Sequence, residues 1–195
     1  MMRRALLAIA FTLAAVAAGV IDRVAVVVGN QVITEFEVLL EVRLTEFFNG
    51  QALDLGSDQR KAAAERLVDQ QLIRNEMQIG GYPMPVESEG DAVLRKFRQD
   101  NYPGIPAFRA ALENHGLTED EVKRHLLWQA AAMHFTDLRF HMTMAAPATA
   151  QAEPAADRSQ SADRSADTTV EDQMEVWLKE ARSNTRIQFK KGAFQ

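Results

Sequence analysis

The chain has 195 residues, with 22 basic and 27 acidic side chains, a formal net charge of −5 and 47% hydrophobic residues. An acidic balance argues against a nucleic-acid partner, which calls for a basic face, and against electrostatic attachment to an anionic membrane surface. With no cysteine, disulfides, thiolate metal ligands and a lipid-modified N-terminal Cys are excluded, while length and apolar content suit one domain with appendages.

The first segment, MMRRALLAIAFTLAAVAAGV, places Arg3 and Arg4 ahead of an apolar run from Ala5 to about Val16. Ala15 and Ala17, or Val16 and Ala18, hold the small-x-small positions of a cleavage site, so residues 1–18 read as a signal peptide and the protein as periplasmic or otherwise exported. The run also approaches membrane-spanning lengths, which begin at roughly 17 residues, so an uncleaved anchor stays open. Removing residues 1–18 takes away two arginines and leaves 20 basic against 27 acidic residues, a net charge of −7.

Next, DRVAVVVGNQVITEFEV predicts a hairpin. Val24, Val26 and Val28 belong to a β-branched run, Gly29-Asn30 is a tight-turn dipeptide, and Gln31-Val32-Ile33 returns. Thr34 and Glu37 have the spacing of a capping box, which starts a first helix at about Glu35. Phe36, Leu39, Leu40, Leu44 and Phe47 repeat at helical spacing up to Asn49-Gly50. Ser57 is positioned to cap a second helix reaching about Ile79. On it Ala64, Leu67, Val68, Leu72 and Ile79 share one face, and Ile73 and Met77 lie opposite. A third helix over about 86–100 carries Val93, Leu94 and Phe97. A short one over 107–114 ends at Gly116, and Thr118–Glu121 opens a long helix to about Phe140.

Residues 19–142 thus form the main body. The 27 residues 143–169 contain no aromatic, Ile, Leu or Val and repeat Ala-Asp-Arg-Ser, the composition of a disordered linker. Over 170–195 order returns. Val170, Met174, Trp177, Leu178 and Ala181 make an apolar helical stripe, and Arg186 to Lys190 alternate as an edge strand. Two strands alone are marginal in water, so this late strand is the candidate to complete the hairpin's sheet. The intervening loop adds roughly 2 kcal/mol of closure entropy over a 20-residue one. Burying Val170, Met174, Trp177 and Leu178 offsets that at roughly 1.5–3 kcal/mol each, as an upper estimate. The expected fold is mainly α with a small antiparallel sheet.

Taken in order, IDRVAVVVGNQVITEFEV, AAERLVDQQLIRNEM, FRAALENHGLTEDEVKRHLLWQ and the final VEDQMEVWLKEARSNTRIQF resemble the N-terminal domain of SurA-type periplasmic chaperones and PrsA-type foldases. The resemblance covers residues 21–140 and 170–190. It implies a helical peptide-binding domain, completed by a distant C-terminal helix and strand, that handles unfolded or newly translocated envelope and outer-membrane proteins. Parvulin-type prolyl isomerase domains lie between those parts in the full-length family. Here residues 143–169 fall short of the roughly 50 residues of a small domain, so the resemblance implies peptide holding without an isomerase.

No other chemistry stands out. His125 and His134 are nine residues apart, on opposite faces of one helix, and His134 and His141 are about 10 Å apart along it, so neither pair grips one metal ion. Gly80-Gly81 sits at a helix end, and Glu119, Asp120 and Glu121 sit at a helix start, where the dipole accounts for them. No catalytic residue, metal or cofactor is expected. The apolar surplus, Ile73, Met77, Met84, Phe97, Tyr102, Phe108, Trp128 and Met133, supplies candidates for a peptide groove, since Met and aromatic side chains adapt to varied partners. The competing account is that each packs the helical core. For function, the alternatives to a chaperone-like module are an adaptor with one fixed envelope partner and a peptidyl-prolyl isomerase.

Overall fold

The computed structural model describes residues 22–84, 86–141 and 159–194. The expected leader over residues 1–18 and most of the expected linker lie outside them. The molecule is mainly helical, with a small three-stranded antiparallel sheet.

Strands β1 (Val24–Val28) and β2 (Gln31–Thr34) pair as the hairpin, Val28 opposite Gln31, Val27 opposite Val32 and Val26 opposite Ile33. Gly29 turns the chain at φ 59°, a region that a side chain would strain. The register shifts between Val24 and Val26, bending the ladder where the Glu35 amide donates to the Arg23 carbonyl at 2.7 Å. Helix α1 (Glu35–Asn49) follows at once. Thr34 Oγ1 accepts from the Glu37 amide at 3.2 Å, and the Glu37 carboxylate accepts from the Thr34 amide at 2.7 Å. Helix α2 spans Ser57–Gly80. Ser57 is not its cap: Gly56 precedes it, held by its amide donating to Asp54 Oδ1 at 2.8 Å, and no side chain caps the helix. The Glu46 carboxylate accepts from the Asp54 amide at 2.6 Å and fixes this loop instead.

A 3-10 turn (Glu87–Glu89) delays α3 to Gly90–Asn101, later than periodicity suggested. Gly90 lies so close to the next long helix that an added Cβ would sit 2.7 Å from Lys123 Cγ. Helices α4 (Ile105–His115) and α5 (Glu119–Thr136) follow, the second opened by the Thr118–Glu121 capping box and ended by a π-helical turn (Asp137–His141). Helix α6 covers Ser159–Asn184. It therefore takes in residues 159–169, expected as linker; residues 143–158 lie outside the described residues. Absence of core formers limits packing, not helicity. Once the docked part of a helix exists, each further residue adds one hydrogen bond for one residue fixed.

Strand β3 (Ile187–Phe189) then pairs antiparallel with β1, Val26 opposite Phe189 and Val28 opposite Ile187, giving the order β2-β1-β3. The Lys190 amide donates to the Ala25 carbonyl at 2.8 Å and the Gly29 amide to the Arg186 carbonyl at 2.9 Å. The C-terminal strand thus occupies the third place in the sheet, with the hairpin's first strand at its centre.

Three apolar clusters hold these elements. Val26, Val28 and Ile33 of the sheet meet Val38 and Val42 of α1 and Val68 of α2. Phe47, Leu94, Phe108, Leu112 and Val122 join α1, α3, α4 and α5. Ile73 and Met77 of α2 pack with Phe135, Phe140 and Val170, and Met174, Trp177 and Leu178 of α6 close over them. Arg182 fastens α6 to α2, its Nε donating to Asp69 Oδ1 at 2.6 Å and its Nη1 to Glu65 Oε2 at 2.8 Å. Two expectations about helix faces need correction. Phe36 is 54% exposed, because Val38 and Val42 turn toward the sheet and carry the face that Phe36 and Leu39 were expected to share. Ile79 is 85% exposed, because it sits in the last turn of α2 rather than against the core.

Candidate functional site

Helix α5 packs on α3 and leaves a cleft toward α1 and α2. Its walls are three helix faces at helical spacing. Helix α1 contributes Leu40, Glu41, Leu44 and Phe48; α2 contributes Arg66, Leu67, Gln70 and Arg74; α5 contributes Glu121, Arg124, His125 and Trp128. The cleft has two lobes of about 270 and 260 Å³ that share Glu41, Gln70, His125 and Trp128. Each lobe falls below the 300–1,000 Å³ range of drug-sized pockets and suits one or two side chains of a longer ligand.

The floor carries buried charge. Glu41 is 5% exposed and accepts from Arg66 Nε and from Gln70 Nε2, both at 3.3 Å. Burial pushes its carboxyl above the usual range, against the opposing pull of Arg66, Gln70 and Arg74. The second nitrogen fork of Arg66 reaches Thr45 Oγ1 at 2.9 Å. The His125 ring stacks on Phe48, with centroids 4.9 Å apart and planes 27° apart. Burial, helped by Arg74 and Arg66, lowers its pKa to about 4, so the imidazole is neutral at neutral pH. Arg74 lies over the Trp128 ring at 4.2 Å, a cation–π contact of about 0.5–2 kcal/mol. Burial lowers the pKa of Arg74 as well, against the attraction of Glu37 and Glu41. Glu37 and Glu121, at the rim, are each tied into their own capping boxes.

Of the eight sequence candidates, Trp128 alone lines this cleft. Ile73 and Met77 are in the core under α6, and Phe108 is 0% exposed at the centre of the second cluster. These three offer no surface to a partner. Residues Ile73 and Met77 do lie off the main face of α2, but α6 of the same chain covers them. Phe97 and Tyr102 are half-buried against Phe47, with ring centroids 6.1 Å from it in each case. Met84 and Met133 are exposed, at 51% and 69%, and neither lines the cleft. The candidates do not assemble into one apolar groove. The residues missed are polar. Glu41, Arg66, Gln70, Arg74 and His125 read singly as solvated helix faces, and the signal for them is their i, i+4 repeat beside leucines: 37-41, 66-70-74 and 121-125.

Two of the other hollows are larger in volume than either lobe. One, about 380 Å³, runs along α6 at Phe140, Val176 and Trp177, and the other, about 420 Å³, is flanked by Ile79, Asn75 and Asn184. Among the described residues no three His, Asp or Glu side chains converge as a metal site, and no helix is long and apolar enough to cross a membrane. Comparison with protein-family models and with curated proteins finds no match to this chain.

Proposed function

We propose that this chain is an exported, chaperone-like module that holds unfolded or newly translocated envelope proteins by non-covalent contact, with no catalytic step and no cofactor. The observation that carries the reading is the open cleft between α1, α2 and α5, whose Leu40, Leu44, Phe48 and Trp128 surround hydrogen-bonding groups. Such a surface accepts the apolar side chains of a peptide while also serving its polar backbone. The order of segments resembling SurA-type chaperones supports the same reading. The contact site is accordingly the Trp128 cleft rather than the set of Met and aromatic residues named from sequence.

The test is aggregation of an unfolded outer-membrane protein, followed by light scattering in the presence of the purified chain. Suppression at several-fold molar excess is expected, and its absence would count decisively against holding. A second reading, an adaptor with one fixed partner, is favoured by the small volume of each lobe and by the burial of Ile73, Met77 and Phe108. A pulldown returning one stoichiometric protein rather than a spread of clients would select it. Under either reading, a proline-isomerisation assay on a short peptide is expected to give background rates.

A further inference from the structure

Helix α2 has a second open flank. Its Arg66, Gln70 and Arg74 line the Trp128 cleft, whereas Leu72, Asn75, Glu76 and Ile79 line the 420 Å³ hollow beside α6. At about 100° per residue the two sets fall on opposite sides of the helix. Across the hollow stand Trp177, Glu180 and Asn184 of α6, and the first two also line the adjoining 380 Å³ hollow with Asp172, Gln173 and Val176. From Asp172 to Asn184 the helix rises about 18 Å, the length of five or six extended residues. Two large apolar side chains stand open along this flank, Val176 at 68% exposure and Ile79, with the half-buried Trp177 shared by both hollows.

Charge and hydrogen bonding select the occupant. Of the ionised groups lining the two hollows, Glu76 and Arg139 pair with each other. Asp172 and Glu180 have no ion pair among the described residues, and their exposed neighbours on α6 are Glu171, Glu175 and Lys179, acidic on balance. Asp172, Val176 and Glu180 follow one another at i, i+4 and i+8, one row on the helix that sets the two carboxylates about 12 Å apart with the apolar side chain midway. In an extended chain, residues i, i+2 and i+4 share a face and span about 13 Å. Gln173 and Asn184 offer amides that donate and accept, and Asn75, whose Oδ1 accepts from Gln71 Nε2 at 2.9 Å, offers its donors. An extended backbone needs such partners, and a helix, bonded to itself, does not. We infer that this flank of α6 binds an extended polypeptide segment of the pattern basic-x-apolar-x-basic, its cations on Asp172 and Glu180 and its apolar side chain on Val176. The surface is separate from the Trp128 cleft and adds a second partner chemistry to the molecule.

The test titrates the full chain with the end-blocked peptide Thr-Lys-Thr-Ile-Thr-Lys-Thr, its counterpart with Glu for both Lys, and an isomer whose two Lys lie on opposite faces. At low salt the first is expected to bind about tenfold more tightly than the Glu peptide, and the gap to narrow as salt is added. The isomer is expected to bind more weakly than the first. Asp172 and Glu180 are exposed, so the double variant Asp172→Asn, Glu180→Gln is expected to keep the fold and lose the preference. Val176→Lys is expected to abolish binding. Equal affinities, an isomer that binds as well as the first peptide, a preference that survives the double variant, or no binding at all would overturn the inference. In the unaltered protein the indole N–H resonance of Trp177 is expected to shift with the Lys peptide while that of Trp128 stays put, and a shift at Trp128 alone would overturn it. Should the intact chain sediment as a dimer that Val176→Lys dissociates, the face belongs to a second copy and the inference falls. None of these outcomes touches holding by the cleft, which the aggregation assay tests.

Discussion

Glu41 and His125 line the same cleft, and their titrations have opposite consequences for stability. The ordinary imidazole pKa of 6.5 is lowered to about 4 in the fold, chiefly by burial. Between those values the unfolded chain binds the proton and the folded one does not. This contribution is therefore complete above pH 6.5 and is lost as pH falls toward 4, by about 3 kcal/mol in all. Glu41 works the other way, because its raised pKa makes the folded state bind a proton first from 4.5 upward. The other charges facing the ring come from Arg66 and Arg74 on α2 and from Glu121 and Arg124 on α5. His125→Asn is thus expected to flatten the fall in urea-unfolding free energy between pH 6.5 and 4, and an unchanged slope would reject the assignment. Arg66→Ala leaves the buried Glu41 without its main partner and is expected to cost about 1–3 kcal/mol at pH 7. Glu41→Gln, which removes the charge and keeps the shape, is expected to cost less. Urea midpoints of the two variants compare them directly. None of this was legible in the sequence, where a Glu, two Arg and a His on helices predict only solvated faces. Their meaning comes from three helices meeting, a relation that periodicity within one helix does not contain.

Helix starts are a different matter, because their code is local. Thr34–Glu37 and Thr118–Glu121 close the same pair of bonds within four residues of chain, so the sequence alone located both. Ser57 misled for the same reason: a serine ahead of an apolar repeat suggests a cap, but Glu46, from the preceding helix, shaped the loop that leads into α2. Replacing Thr34 by Ala is expected to cost about 0.5–2 kcal/mol in chemical denaturation. Thr118→Ala should cost a similar amount and, because α5 forms one wall of the cleft, also weaken peptide binding. A loss of stability at position 118 without any loss of binding would separate the start of α5 from the site. The inner faces of the helices were read less well than their starts. Val38 and Val42 outrank Phe36 because the sheet lies on their side of α1, and the sheet is completed by a strand about 150 residues further along the chain.

What unites the molecule is the return of its C-terminal part. Strand β3 makes β1 the central strand, Arg182 ties α6 to Asp69 and Glu65, and Trp177 and Leu178 cover Ile73 and Met77. The sequence made this closure readable through an apolar stripe and an alternating strand left without local partners. It did not show how far α6 extends back toward 159, nor that the same helix would fill the space assigned to a client. Pairing and burial together make residues 170–194 part of the same core rather than an appendage. A chain ending at residue 169 exposes the third cluster and returns the sheet to two strands, which are marginal alone. Thermal unfolding of that truncated chain beside the intact one decides the matter. Loss of the cooperative transition, or a large fall in its midpoint, is expected; an unchanged melting curve would contradict the account.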